Sequence, residues 1–331
     1  MAFALTRRGA LIGGVSAALL AAPRRARAAP TKIRFLTSWF AQAEHGGFYQ
    51  ALATGLYARE GLDVTVEMGG PQVNGLQLLT AGNADIVMGY DIQVMKAVER
   101  KLPVVTVAAS FQSDMQGLMT HRSVGGLPDL KGHKILIASS SHVTFWPWLK
   151  QRFGYVDEQA APYTFNLQPF LVDPQSAVQA YPSSEPFEAK AQGQDVRFFL
   201  FADEGYPPYG TTMVTSRGLA ESNPDAVRGF VRASLLGWRD YMVNPGPANA
   251  LIQQANPKMN DARIAYAIDW MKSHDVLGRG EAATKGIGTM SADRWKRTYD
   301  FMVDGGTLHH GTDWQKAFTT QFVNGLGILP A

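Results

Sequence analysis

The sequence predicts an α/β protein made of two mainly parallel sheets, each flanked by helices, with one α/β unit interrupting the other. Three observations lead there. From Thr31 onward, short β-rich runs alternate with amphipathic stretches, the order that builds parallel, doubly wound sheets. A second alternation of the same kind begins near residue 117. The last third carries helical capping residues and apolar residues at helical spacing. With 331 residues, 46% of them hydrophobic and 18% charged, the chain has a globular composition and length enough for two cores.

The first strand is expected over 33–37, and a helix follows over 47–59 on the spacing of Phe48, Leu52, Leu56 and Tyr57. Gly61 stops that helix, and 62–67 is the next strand. A helix over 74–81 ends at Gly82-Asn83, and strands follow over 85–88 and 104–108. Residues 116–120 read as a strand leaving that sheet. A turn over 128–132 leads to a new strand at 134–138, with a helix starting after Ser139-Ser140-Ser141. Strands at 196–201 and 211–215 complete the set. Asn223 is an N-cap with Pro224 at the first helical position. Val227, Phe230, Val231, Leu235, Trp238, Tyr241 and Met242 then form a stripe for burial. Ser291 and Thr312 are expected to cap two further helices. The resulting division is a leader over 1–28, a first unit over 29–117, a second over 118–211, and a return strand with C-terminal helices over 212–331.

The leader has its own logic. Arg7-Arg8 precede an apolar run over 11–22, and Ala26-Arg27-Ala28 puts small residues where a signal peptidase reads. The expectation is a twin-arginine-type signal, engagement of the export machinery, cleavage after Ala28 and delivery to the periplasm. The run is too short to span a bilayer comfortably, so no stable membrane insertion is expected. The formal charge of +3 includes five leader arginines and no leader acid; without them the balance is −2. No basic excess remains to attract nucleic acid.

Several chemistries lack their residues. Without cysteine there is no disulfide, thiolate metal site, cysteine nucleophile or lipid-anchoring thiol. His309-His310 are adjacent, and no His/Asp/Glu cluster has ligand spacing. No nucleophile-elbow Gly-x-Ser-x-Gly is present, and no Gly-x-Gly-x-x-Gly follows the first strand. No catalytic residue, metal or cofactor is expected, and the chain is not expected to be an enzyme.

The segment Trp39-x5-His45-Gly46-Gly47-Phe48-Tyr49, followed by Ala53-x-Gly55-Leu56-Tyr57-x-x-Glu60-Gly61-Leu62-Asp63-Val64, resembles the start of bacterial periplasmic binding proteins for thiamine pyrimidine precursors. These are related to sulfonate, taurine and nitrate receptors. The resemblance continues in order through Gly82-Asn83-Ala84-Asp85-Ile86, Asp129-Leu130-Lys131-Gly132 and Asn223-Pro224-Asp225-Ala226-Val227. It implies a two-lobed (type II) periplasmic binding protein, crossed twice by the chain, with the ligand cleft between lobes. It also implies an ABC permease and its ATPase as partners, and a small aromatic or heterocyclic ligand. A sulfonate or other small organic anion is the alternative ligand; an exported enzyme that makes or modifies a pyrimidine is the alternative class. The chain departs from the family pattern at Ser38 and Gln179, where Asp is usual, and in Phe40-Ala41-Gln42-Ala43-Glu44, where Asn and Pro are common.

Eight residues are candidates to hold a ligand. Trp39 follows the first strand, where a flat ring would stack on it. His45 sits at a loop-to-helix junction beside two glycines that admit close backbone approach. Tyr90 follows the third strand and Gln112 the fourth. Ser140 lies in a hydroxyl-rich strand-to-helix turn. Tyr209 lies in a proline-stiffened loop able to cover the cleft. Gly70 joins the set. Glu185 matches an acid that the family resemblance turns toward the ligand.

Overall fold

The computed structural model describes Met1 and residues 29–331, so the leader expectations lie outside the described residues. In chain order the described strands are β1 (Thr31–Leu36), β2 (Leu62–Glu67), β3 (Ile86–Gly89), β4 (Val104–Phe111), β5 (Gly117–His121), β6 (Ile135–Ile137), β7 (Ala160–Pro162), β8 (Ala177–Ala180), β9 (Val196–Leu200) and β10 (Gly210–Ser216). They form two five-stranded sheets, ordered β2-β1-β3-β10-β4 and β7-β6-β8-β5-β9. Helices flank both sheets, giving two lobes. β1 runs parallel to β2 and β3, and β6 parallel to β7 and β8. β10 is antiparallel to β3 and β4, and β5 to β8 and β9. Each sheet therefore has four strands in one direction and one reversed. The reversed strand is in each case the first one after the chain crosses between lobes. Strand–helix alternation predicts the parallel pairs and carries no signal for these two.

Local sequence accounts for most boundaries. In β1, Ile33 and Phe35 turn inward while Lys32 and Arg34 face water. The helix expected over 47–59 is two helices, Gly46–Ala53 and Leu56–Arg59, because Gly55 adopts φ +69° between them. Asn74 caps Gly75–Thr80 by accepting from the Gln77 N–H at 3.2 Å. Asn223 likewise caps Pro224–Val243, whose inner face buries Val227, Phe230, Leu235, Trp238 and Tyr241. β7 and β8 were not anticipated. They are three and four residues long, and Pro162 is tolerated because β7 is an edge strand. Two expected caps differ. Ser291 precedes helix Ala292–Asp304, but its hydroxyl donates to Glu281 at 2.8 Å. Thr312 donates to the His309 carbonyl, and only a 3₁₀ turn, Trp314–Ala317, follows. Among the described residues no helix is long and apolar enough to cross a membrane.

The two crossings run side by side. Residues 112–116 join β4 to β5 and 201–209 join β9 to β10. The Asp114 N–H donates to the Pro208 carbonyl at 3.3 Å, and the Phe201 N–H to the Gln116 carbonyl at 3.0 Å. Arg294, from helix Ala292–Asp304, donates to the Gln112 carbonyl at 2.7 Å and the Pro207 carbonyl at 3.1 Å, so one guanidinium ties both segments. It also lies 4.4 Å over the Tyr209 ring. The Tyr209 N–H donates to Asp91 Oδ2 at 3.1 Å, and its hydroxyl accepts from the Ser291 N–H.

Two acids are buried in this crossing. Burial, opposed by backbone hydrogen bonds, pushes Asp91 up to about 6. Burial, reinforced by the Asp91 charge, pushes Asp114 up to about 7. A carboxyl whose folded pKa exceeds its unfolded value holds protons better in the native state. Its ionisation therefore removes stability as pH rises from about 4 to about 7. Asp114→Asn keeps an acceptor for the Gln116 N–H and does not ionise. Relative to the parent, the variant is expected to gain stability between pH 4.5 and 7.5, measured by urea unfolding at both values. An unchanged difference would show that Asp114 does not titrate in this range.

Candidate functional site

The loops after β1, β3 and β6 open toward one another across the lobes and enclose a cleft of about 690 Å³. That volume lies in the range of small-molecule sites. Strand ends of open α/β sheets are where such sites form, because side chains and free backbone groups converge there. Trp39, His45, Tyr90, Ser140 and Glu185, five of the eight sequence candidates, line the cleft. Gly70, Gln112 and Tyr209 do not. Gly70 is buried against the Phe40 ring. Gln112 donates to the Thr289 carbonyl at 2.9 Å, and Tyr209 belongs to the crossing described above.

Aromatic faces form one part of the wall. Trp39 lies nearly parallel to Tyr163, with centroids 6.2 Å apart, and edge-on to Phe165 at 6.0 Å. A third ring needs about 7 Å between its neighbours, two stacking distances. Nothing fits between Trp39 and Tyr163, so a ligand ring must use the face of Trp39 that looks into the cleft. Tyr90 and Tyr181 meet across the lobes, hydroxyl to hydroxyl, at 3.3 Å. Ser139 of the second lobe donates to Gln72 Oε1 of the first at 2.8 Å. The lobes thus touch at these two points along the cavity lining. Tyr90→Phe and Tyr181→Phe are each expected to weaken this contact; a larger radius of gyration by small-angle scattering would register it, and an unchanged one would show the hydroxyl pair does not hold the lobes together.

Two carboxylates form the other part. Glu185 begins helix Glu185–Ala191 and is 3% exposed. It accepts from the Tyr163 hydroxyl and from the Tyr181 N–H, both at 2.9 Å. Glu44 lies in the 3₁₀ turn Ala43–His45, is 2% exposed, and accepts from the Ser183 hydroxyl of the other lobe. Burial raises the pKa of both acids, and the Glu185 charge adds to the rise at Glu44. The nearby buried cation, Arg263, has both terminal nitrogens committed. It donates to Glu188 and Ser184 at 2.9 Å each and stands over the Phe165 ring. It lowers both carboxyls electrostatically without lining the cleft. The lining cations Lys96 and Arg100 come from the far end of helix Asp91–Glu99 and beyond it. Lys96 is paired with Glu99, and at 1.5 Å per residue it sits about 9 Å along the helix from Tyr90.

Sequence reasoning missed Glu44, Gln42, Gln179, Tyr181 and Gln116, all of which line the cleft. Gln179 accepts from the Ala138 N–H at 2.5 Å and from the Ser141 hydroxyl at 2.6 Å. Its oxygen is thereby fixed and its amino group is left for the cleft. The signal for Glu44 and Gln179 was present as departures from the family pattern, without the geometry to interpret them. His45 is 1% exposed, and burial pushes its pKa down to about 3, so the imidazole is neutral at physiological pH. Among the described residues no group of His, Asp or Glu is arranged to hold a metal.

Comparison with known proteins agrees with this geometry. The family model described as "NMT1/THI5 like" matches residues 42–248. A riboflavin-binding protein, RibY, from Chloroflexus aurantiacus is 27% identical over 322 residues, covering 94% of this chain and 91% of the relative. A formylaminopyrimidine-binding protein from Halalkalibacterium halodurans is 25% identical, covering 82% of this chain and 84% of its own length. Among solved structures, the alkanesulfonate-binding protein SsuA from Xanthomonas axonopodis pv. citri, bound to MOPS, superposes with a TM-score of 0.65 at 15% identity. It covers 88% of this chain and 99% of its own. That likeness shows the two-lobed fold of periplasmic binding proteins.

Proposed function

We propose, from the premise that this chain belongs to the NMT1/THI5-like family, that it is the solute-binding receptor of an ABC importer. Its ligand is a small aromatic nitrogen heterocycle. The observation that carries the reading is the cleft itself: Trp39, Tyr90 and Tyr181 line it together with the buried acids Glu44 and Glu185. A flat ring gains by stacking, and N–H groups on its edge satisfy carboxylates that would otherwise be costly to bury. A sulfonate would meet two acids, while Arg263, its terminal nitrogens engaged, does not line the cleft. The two relatives named above are named for riboflavin and formylaminopyrimidine, both nitrogen heterocycles.

The protein works by capture and release, not turnover. It is exported to the periplasm with cleavage after Ala28, and presents the closed lobes to a permease driven by its ATPase. Trp39, His45, Tyr90, Ser140 and Glu185 hold the ligand. The test is a thermal-shift screen of protein beginning at Ala29, using pyrimidines, thiamine, flavins, sulfonates and small anions. A ligand at a hundredfold excess over its dissociation constant adds about 2.7 kcal/mol of stability. A shift with a heterocycle that disappears in Trp39→Ala supports the reading. A shift with sulfonates alone, or chemical conversion of a bound pyrimidine, overturns it.

A further inference from the structure

Gln179 ends in an amide of which the fold uses one half. β8 runs parallel to β6, with Val178 beside Leu136, so the Gln179 side chain reaches forward to the turn that follows β6. There its Oε1 accepts from the Ala138 N–H at 2.5 Å and from the Ser141 hydroxyl at 2.6 Å. Ala138 and Ser141 are both buried. A backbone N–H can only donate, so the atom that faces it is the oxygen, and the amide cannot be turned round. The other half is left over. Nε2 makes no hydrogen bond among the described residues, and the protein does not seal it from solvent. Gln179 lines the cleft on the second-lobe wall, with Ser140 and Tyr181, so the amino group meets the ligand space with its donors free. A carboxylate at this position, the one usual in the family pattern, would serve Ala138 and Ser141 equally well. What glutamine adds is a donor that does not ionise.

We infer that Gln179 determines specificity by requiring a neutral hydrogen-bond acceptor on the ligand, a carbonyl oxygen or an unprotonated ring nitrogen. A glutamine free to rotate adapts to a donor or an acceptor by exchanging its oxygen and its amino group. This one is held at the oxygen end, so it offers donors only. A ligand amino group or protonated ring nitrogen placed against it would set hydrogens against hydrogens. An anionic acceptor would share the cavity with the buried acids Glu44 and Glu185. The amide is also ordered by the fold before any ligand arrives, so binding does not have to fix its rotamer. The inference rests on the heterocycle-receptor reading and adds to it: the ring, or a group attached to it, carries an acceptor toward the second-lobe wall.

The experiment uses Gln179→Glu, which has the same length, keeps an oxygen for Ala138 and Ser141, and puts a second carboxylate oxygen where the donor was. Calorimetric titration at pH 7.5 and pH 5 would compare it with the parent, using cytosine, riboflavin and 4-amino-2-methylpyrimidine. The first two offer carbonyl oxygens and the third only ring nitrogens. At pH 7.5 the variant is expected to bind at least tenfold more weakly than the parent. A loss larger for cytosine and riboflavin identifies a carbonyl acceptor, and an equal loss for all three a ring nitrogen. At pH 5 protonation of the new carboxyl restores a donor, so the ratio of parent to variant affinity is expected to shrink at least threefold. Titrations shared by the two proteins cancel in that ratio. A variant within threefold of the parent at pH 7.5, or a deficit equal at both pH values, overturns the inference and leaves the heterocycle-receptor reading standing. Failure of all three ring compounds on the parent, with an alkanesulfonate bound instead, overturns both. Should Gln179→Glu not fold, the side-chain amide signals of Gln179 in the ¹⁵N-labelled parent decide. On adding a ring compound that binds, they are expected to move downfield and to exchange more slowly with solvent, and unchanged signals overturn the inference.

Discussion

Glu185→Ala is expected to reduce ligand affinity at least a hundredfold, about 2.7 kcal/mol. The side chain does more than face the cavity. One oxygen takes the Tyr163 hydroxyl and the other the Tyr181 N–H. The Tyr163 ring backs Trp39, and Tyr181 carries the hydroxyl that meets Tyr90 from the other lobe. Truncation leaves two buried donors unpaired, at about 1–3 kcal/mol each, and frees the rings on both sides of the pocket. Binding therefore loses the carboxylate and the order of the wall together. Glu185→Gln retains one acceptor and is expected to fall between parent and alanine. Calorimetry on the three proteins, with a heterocycle identified by thermal shift, makes the comparison. Alanine binding within threefold of the parent would place Glu185 outside the recognition machinery and assign its hydrogen bonds to the fold alone.

Much of this architecture was legible in the sequence for identifiable reasons. Alternating buried and exposed residues mark β1 and β2, and burial on both faces gives the apolar runs of β3 and β4, so all four could be read directly; Asn223-Pro224 marks a helix start by local chemistry alone. The limits are equally physical. β7 is Ala-Ala-Pro, with no β-branched or aromatic residue to mark it. The reversal of β5 and β10 depends on where the crossings enter the sheets, which no local period encodes. Among site residues, position after a strand located Trp39 and Tyr90 correctly in the cleft, yet the same rule placed Gln112 there, and the side chain turns back to Thr289. Tyr209 shows the same limit: its hydroxyl and ring are occupied by Ser291 and Arg294. Strand ends identify the neighbourhood, whereas the direction a side chain takes is decided by partners from distant sequence. Glu44 was the costliest omission, because an acid in a loop is most often solvated and only the burial of its turn sets it apart.

That turn is held from behind, and the second large effect is expected there. Helix Gly46–Ala53 follows His45 without a break and packs on helix Pro224–Val243 through paired glycines. A Cβ on Gly237 would lie 2.1 Å from the Gly47 carbonyl oxygen and 2.9 Å from the Ala51 N and Cβ. These are mostly backbone atoms of the facing helix, so no rotamer change relieves them and the helices must separate. Gly237→Ala is expected to cost about 3 kcal/mol, the upper end of ordinary overpacking. At roughly 2–4 °C per kcal/mol, the melting temperature should fall by roughly 6–12 °C. Because the displaced helix begins at the recognition turn, ligand affinity should fall with it. Gly55→Ala is the control. Its Cβ meets nothing within 4 Å, and only the positive φ of +69° opposes it. About 1 kcal/mol of backbone strain is expected there, with affinity unchanged. Calorimetric melting and ligand titration of both variants would separate the two cases. If Gly237→Ala melted like Gly55→Ala, the close approach of the two helices would not be what fixes the turn.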